Sequence, residues 1–218
     1  ISYQNYNLSK WDYFALNTGV ANNLNISAVL ARNSLDQPIY TTRGSDISLS
    51  VALTPPYSLW DNIDYSKASQ QDIYRWIEYY KIKFKSRFFL PLTKNNKLVL
   101  MGRAELGFLG YYNINKRSPF ETFWVGGDGM TGYSSTYATE TVALRGYTNG
   151  SLTPYYNGYQ AGNIYARFSI ELRYPIVLKE STMVWALVFA EAGNCWRDYN
   201  NFNPFDLKRS AGVGLRVY

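Results

Sequence analysis

The chain has 218 residues, of which 46% are hydrophobic, 17% aromatic and only 17% charged, with a net charge of +6. That is enough apolar material for one sizeable domain or two small ones, and it rules out a disordered tail. There is no histidine and a single cysteine, Cys195; this excludes Ser-His-Asp triads, histidine-ligated metals and an internal disulfide.

The dominant pattern is period-two alternation, the mark of strands with two unlike faces. The first run, 1–8, opens in mid-strand at Ile1-Ser2-Tyr3, so the chain reads as a piece of something longer. In the second, 23–33, Leu24, Ile26, Ala28 and Leu30 face away from Asn25 and Ser27. In 46–54, Ile47, Leu49, Val51 and Leu53 alternate with Ser48, Ser50 and Ala52. Residues 70–80 have the composition of a short helix within the connection that follows.

The run 79–91 shows the strongest contrast. Tyr80, Ile82, Phe84, Phe88 and Leu90 are apolar, whereas Lys81, Lys83, Lys85 and Arg87 form a basic face. In 97–112, Leu98, Leu100, Ala104, Leu106 and Phe108 oppose Arg103 and Glu105. In 163–174, Ile164, Ala166, Phe168, Ile170 and Leu172 oppose Arg167, Ser169, Glu171 and Arg173. The run 183–193 is apolar on both parities up to residue 190, so its faces cannot be assigned from pattern. Residues 183–190 are also far short of the ~20 that cross a membrane as a helix. In 210–218, Val213, Leu215 and Val217 alternate with Gly212, Gly214 and Arg216.

These are about eight strands, several as long as the ~9–11 residues that cross a bilayer as tilted strands. The connections run roughly 14, 12, 24, 5, 50, 8 and 16 residues, and after the first pair long and short alternate as in outer-membrane barrels. The short ones carry turn residues such as Asp36-Gln37-Pro38. Aromatics gather near strand ends, at Tyr79, Tyr80, Tyr111, Tyr112, Phe123, Trp124 and Tyr174, as in interfacial girdles.

Alternation alone does not tell inside from outside, so a soluble β-sandwich or lipocalin-like barrel satisfies the same pattern. The asymmetric loops and the long charged side chains mixed with Ser and Asn favour a membrane barrel around an aqueous lumen. The basic face lacks the interleaved aromatics that stack bases, so it reads as lumen wall and not as a nucleic-acid surface. Gly126-Gly127-Asp128-Gly129 lacks the Gly-Lys-Ser/Thr ending of a phosphate loop. There is no Gly-x-Ser-x-Gly elbow, so no enzyme, cofactor or metal is expected.

An ordered set of segments resembles the barrel of the BamA-type outer-membrane protein assembly factors. Asn33-Ser34-Leu35-Asp36 followed by Thr42-Arg43-Gly44-Ser45 is similar to that family's strand–turn–strand. Residues 120–127 resemble the start of its sixth external loop, and Leu144-Arg145-Gly146-Tyr147 resembles the loop's Val-Arg-Gly-Phe tip. Ser169-Ile170-Glu171-Leu172, Phe189-Ala190-Glu191-Ala192-Gly193 and Arg209-Ser210-Ala211-Gly212-Val213-Gly214 resemble the three strands after it. A longer insert than usual separates Gly127 from Leu144, and Glu191 stands where an aspartate is usual.

The resemblance implies an all-β fold. It is an antiparallel transmembrane β-barrel, with residues 1–218 supplying roughly strands seven to fourteen of sixteen. Residues 113–162 would be external loop six. Arg145 would fold back into the lumen and pair with Glu171 and Glu191, Gly146 would permit the tight backbone, and Tyr147 would pack on the wall. The parity of Glu191 places Trp185, Leu187 and Phe189 on its own face, which implies an apolar lumen patch or a bulge. Tyr218 reads as an artificial end, because Arg216 departs from a terminal barrel signal.

The implied parent is a POTRA-containing insertase in the outer membrane of a Gram-negative-type bacterium. Its partners would be unfolded outer-membrane protein clients, accessory assembly lipoproteins and outer-membrane lipid. Two readings remain beside it: a secretion transporter of related type, and a self-contained eight-stranded structural or adhesive barrel.

Overall fold

The computed structural model describes residues 1–10, 15–128, 139–179 and 181–218. In chain order the elements are β1 (Ser2–Leu8), β2 (Gly19–Asn33), β3 (Gly44–Leu53), α1 (Gln70–Tyr74), β4 (Tyr80–Pro91) and β5 (Val99–Gly110). Then come β6 (Thr122–Val125), β7 (Thr139–Val142), β8 (Tyr155–Tyr156), β9 (Tyr159–Gln160), β10 (Ile164–Lys179), β11 (Thr182–Trp196) and β12 (Lys208–Val217). Eight of the strands form one sheet in the order β1-β2-β3-β4-β5-β10-β11-β12, and every neighbouring pair is antiparallel. The sheet is an open meander with β1 and β12 as its edges. Its strands coincide with the eight alternating runs.

Exposure decides which face is which. The apolar positions Ile26, Leu30, Leu49, Ile82, Leu90, Ile170, Ile176, Val188, Val213 and Leu215 are exposed, and the polar set Lys81, Arg167, Ser169, Glu171, Arg173 and Glu191 is buried. A soluble barrel would show the reverse. An apolar outer face this extensive belongs against lipid.

The strand β11 obeys the same parity from Trp185 to Gly193, and beyond it both faces are buried. Trp185 and Leu187 point inward and pack with Tyr40, Phe89, Val99 and Met101, so the apolar lumen patch is present; the register slip opposite Val184 and Trp185 puts its extra residue on β10, not on this strand. The residue partnering Trp185 comes from the turn at 34–43: Tyr40 meets it edge-on at 5.5 Å between ring centroids. The Tyr40 hydroxyl donates to the Lys97 carbonyl at 3.1 Å. This turn folds inward because Asp36 accepts from the backbone amides of Thr42 and Arg43, at 2.9 and 3.1 Å. Gly44 follows at φ +103°, where a Cβ would lie 2.1 Å from the Ser34 carbonyl oxygen; only glycine fits.

Element ends differ from the pattern's reach in two instructive places. β10 continues to Lys179 because the register slips between Pro175 and Val177, a bulge that absorbs a proline with no amide to donate. The helix expected over 70–80 stops at Tyr74. Beyond it the chain lies along β2, with the Ile77 amide donating to the Asn22 carbonyl and the Asn22 amide to the Arg75 carbonyl, at 2.8 and 3.0 Å. Backbone pairing with a strand wins over one more helical turn.

Candidate functional site

The described parts of the connection between β5 and β10 do not stand out from the sheet but fold over its polar face. Phe123 and Val125 of β6, Val142 of β7 and Leu109, Tyr165 and Cys195 of the wall share one buried cluster. β6 and β7 run parallel, Thr122 to Val125 against Thr139 to Val142. Gly127 bridges to Leu144 and donates its amide to the Tyr147 carbonyl at 3.0 Å. The glycine pair and the Leu-Arg-Gly-Tyr tip are therefore adjacent, although the long insert separates them in sequence. Gly129 and the rest of 129–138 lie outside the described residues.

Arg145 sits on the wall where β10 and β11 pair. Its Nη2 donates to Glu171 Oε1 and to Glu191 Oε1, both at 2.7 Å, and approaches Ser169 Oγ at 3.4 Å. Its backbone amide donates to Glu191 Oε2 at 2.9 Å. One guanidinium nitrogen bridges the two carboxylates, and the backbone supplies a second bond to Glu191. The guanidinium lies 3.7 Å from the centroid of the Phe189 ring, a cation–π contact from the same inward parity.

Both carboxylates have fully buried side chains, against 17% exposure for Arg145. Wall arginines keep them from being isolated charges. Arg173 donates to Glu171 Oε2 through Nε and Nη2 at 2.8 and 2.7 Å, and Arg216 Nη2 is 3.5 Å from Glu171 Oε1. Arg167 Nη2 and Ser169 Oγ donate to Glu191 Oε1 at 3.0 and 3.1 Å. Arg167 also faces Glu105 at 3.6 Å, and Glu105 faces Arg103 at 3.7 Å. Arg216, which departs from a terminal barrel pattern, is thus an inward member of this network. A buried carboxylate is tolerated only when paired and hydrogen-bonded, and these are saturated.

Gly146 has φ +88°, and a Cβ there would lie 3.0 Å from Ser210 Cβ. The Tyr147 hydroxyl donates to the Arg209 carbonyl at 2.9 Å. The tip therefore touches β10, β11 and β12.

The basic face meets a different partner. Glu140 of β7 lies within 3.3 Å of Lys81, 2.9 Å of Lys83 and 3.4 Å of Lys85. Glu121 lies 3.1 Å from Lys81. Arg87 pairs instead with Asp46 on β3, its neighbour in register. Burial pushes the Glu140 carboxyl up, but the Lys81, Lys83 and Lys85 ammonium groups outweigh it and hold it below the ordinary carboxylate range. Sequence reasoning named the four cations but not Glu140. The available signal was a lone acid within an alternating Thr-Glu-Thr-Val stretch of a long loop that has to cover a basic wall.

The Omp85 superfamily domain matches residues 1–218. Among solved structures, the fold is similar to that of BamA from Haemophilus ducreyi lacking POTRA domains 1-3. The TM-score is 0.61 at 21% identity, covering 90% of this chain and 36% of that one. This chain thus spans little more than a third of the length of that relative. An open antiparallel sheet, apolar outside and charged inside, carries a loop whose arginine tip lies on paired glutamates; by its family match the chain belongs to the Omp85 superfamily, with the fold of a BamA-type outer-membrane barrel segment.

Proposed function

We propose that this chain is the barrel segment of an outer-membrane insertase, a protein that assembles β-barrel proteins into the outer membrane without making or breaking covalent bonds. The observation that carries the reading is the loop tip seated by Arg145 on Glu171 and Glu191, within an Omp85 sheet of BamA-like fold. A seated tip braces the inner wall while the outer face meets lipid. Lipid cannot satisfy the backbone groups of an unfolded client strand, and a barrel seam satisfies them by strand addition. In this reading the parent carries POTRA domains, receives unfolded clients, works with accessory lipoproteins and needs no cofactor.

The test is depletion of the full-length parent, followed by quantification of outer-membrane barrels and secreted proteins. An insertase loses many unrelated barrels together. Loss of one secreted partner with normal barrel levels would overturn the reading in favour of a secretion transporter. Arg145→Ala in the full parent is expected to lower barrel levels as a partial depletion does.

A further inference from the structure

Lys81, Lys83 and Lys85 occupy alternate inward positions of β4, about 6.6 Å apart by strand rise. Their charges repel one another, and their side chains are 7%, 26% and 47% exposed. One loop carboxylate answers all three. Glu140 Oε2 takes Lys81 and Lys83, and Oε1 takes Lys85. Its position is set by backbone, not by side-chain reach: β7 pairs with β6 in a register that puts Glu140 beside Phe123. The Phe123 ring is in turn held against Tyr165 of β10 at 4.6 Å, with Lys81 Nζ 4.9 Å above it.

The loop is thus held at two points of opposite sign. Its negative point lies on the lysines of β4, and its positive point, Arg145, lies on the carboxylates of β10 and β11. We infer that Glu140 is a positioning residue, a second clasp that fixes where along the wall the loop tip can seat. The polarity is what gives the pair its power. Sliding the loop so that Glu140 approaches Glu171 or Glu191, or Arg145 approaches the lysines, sets like charges together with poor access to water. Wrong seatings are repelled as well as the right one attracted. The inference does not depend on whether the parent inserts or secretes.

The experiment is zero-length carbodiimide coupling on the full-length parent in outer-membrane vesicles, read by peptide mass spectrometry. The expected result is an amide joining Glu140 to Lys83, Lys81 or Lys85, formed alongside the Glu121–Lys81 product. Glu121–Lys81 coupling without any Glu140 product would overturn the proposal. A double-mutant cycle gives a second reading through the heat-modifiability transition. Glu140→Gln and Lys83→Gln should each lower the transition temperature, and the double variant should fall no further than Glu140→Gln alone. Additive losses would overturn the pairing, and so would an unchanged transition in Glu140→Gln.

Discussion

The two charged walls of the lumen are built by the same rule and held in different ways. On β10 and β11 the inward positions carry both signs, so each glutamate keeps partners from the wall itself, Arg173 for Glu171 and Arg167 with Ser169 for Glu191, beside the bonds it accepts from Arg145. On β4 the inward positions carry one sign, and most of the compensation comes from the loop, through Glu140 and Glu121. A self-compensated wall needs the loop less than the loop needs it. A one-signed wall needs the loop to be there. The carboxylate wall is the preformed seat, and the lysine wall meets its compensating carboxylates, Glu140 and Glu121, only when the loop is down.

The sharpest way to break this contrast is Glu191→Ala. It removes the acceptor of the Arg145 amide and guanidinium, of Arg167 and of Ser169 and strands buried cations. A loss of about 3–5 kcal/mol is expected, seen as a lower heat-modifiability transition in the full-length parent and as protease cleavage within the loop. An uncleaved loop would mean that the seat is elsewhere.

Arg145→Lys comes next. An ammonium also bridges two carboxylates through one nitrogen, but it lacks the planar guanidinium that stacks on Phe189 and is more strongly hydrated. The expected loss is about 1–3 kcal/mol, less than for Glu191→Ala because Glu171 and Glu191 keep Arg173 and Arg167. A lysine variant equal to the parent in transition temperature and client levels would show that charge alone suffices.

The lysine wall should respond to acid. Glu140 faces Lys81, Lys83 and Lys85, with Glu121 and Tyr165 nearby. Its folded pKa lies below the unfolded one of about 4.3, so its stabilisation is full above that value and is lost as pH falls through the folded value. Asp36, held low by its hydrogen bonds from Thr42 and Arg43 against the upward push of burial, titrates in the same window. The difference between the parent and Glu140→Gln isolates the loop: it should vanish at acid pH and reappear above about pH 5. A difference independent of pH would mean that Glu140 is not charged in its seat.

The smallest effect belongs to Arg87→Ala. Arg87 pairs with Asp46 across strands, its side chain is 42% exposed, and among the described residues no loop carboxylate pairs with it. A change within about 1 kcal/mol is expected. A loss as large as that of Arg145→Lys would extend the loop's footing along β4.

Much of this arrangement was legible because a strand's two faces are a local property. Alternation over 79–91 or 163–174 is visible within ten residues, and the family-like order of segments pointed from Arg145 to Glu171 and Glu191. The missing partners are of another kind. Glu140 meets Lys83 only because β7 lies parallel to β6 across β4, and Arg216 meets Glu171 only because β12 pairs with β11. The lone acid of Thr-Glu-Thr-Val marks Glu140 itself, but nothing within either segment names the partner it meets.

By itself, then, the sequence determined the eight strands, their order of charged and apolar faces, the long connection between β5 and β10, and the residues at its tip. The tertiary structure decided which face turns inward and how the doubly apolar strand at 182–196 divides between Trp185 and Val188. It also decided that the turn at 34–43 fills the lumen beside Trp185, and that the loop stands on lysines as well as on glutamates. The physical reason is range. A two-residue period is set by the geometry of the strand itself, whereas the sign of the environment on each face, and the partner of each buried charge, depend on how distant segments are brought over the sheet.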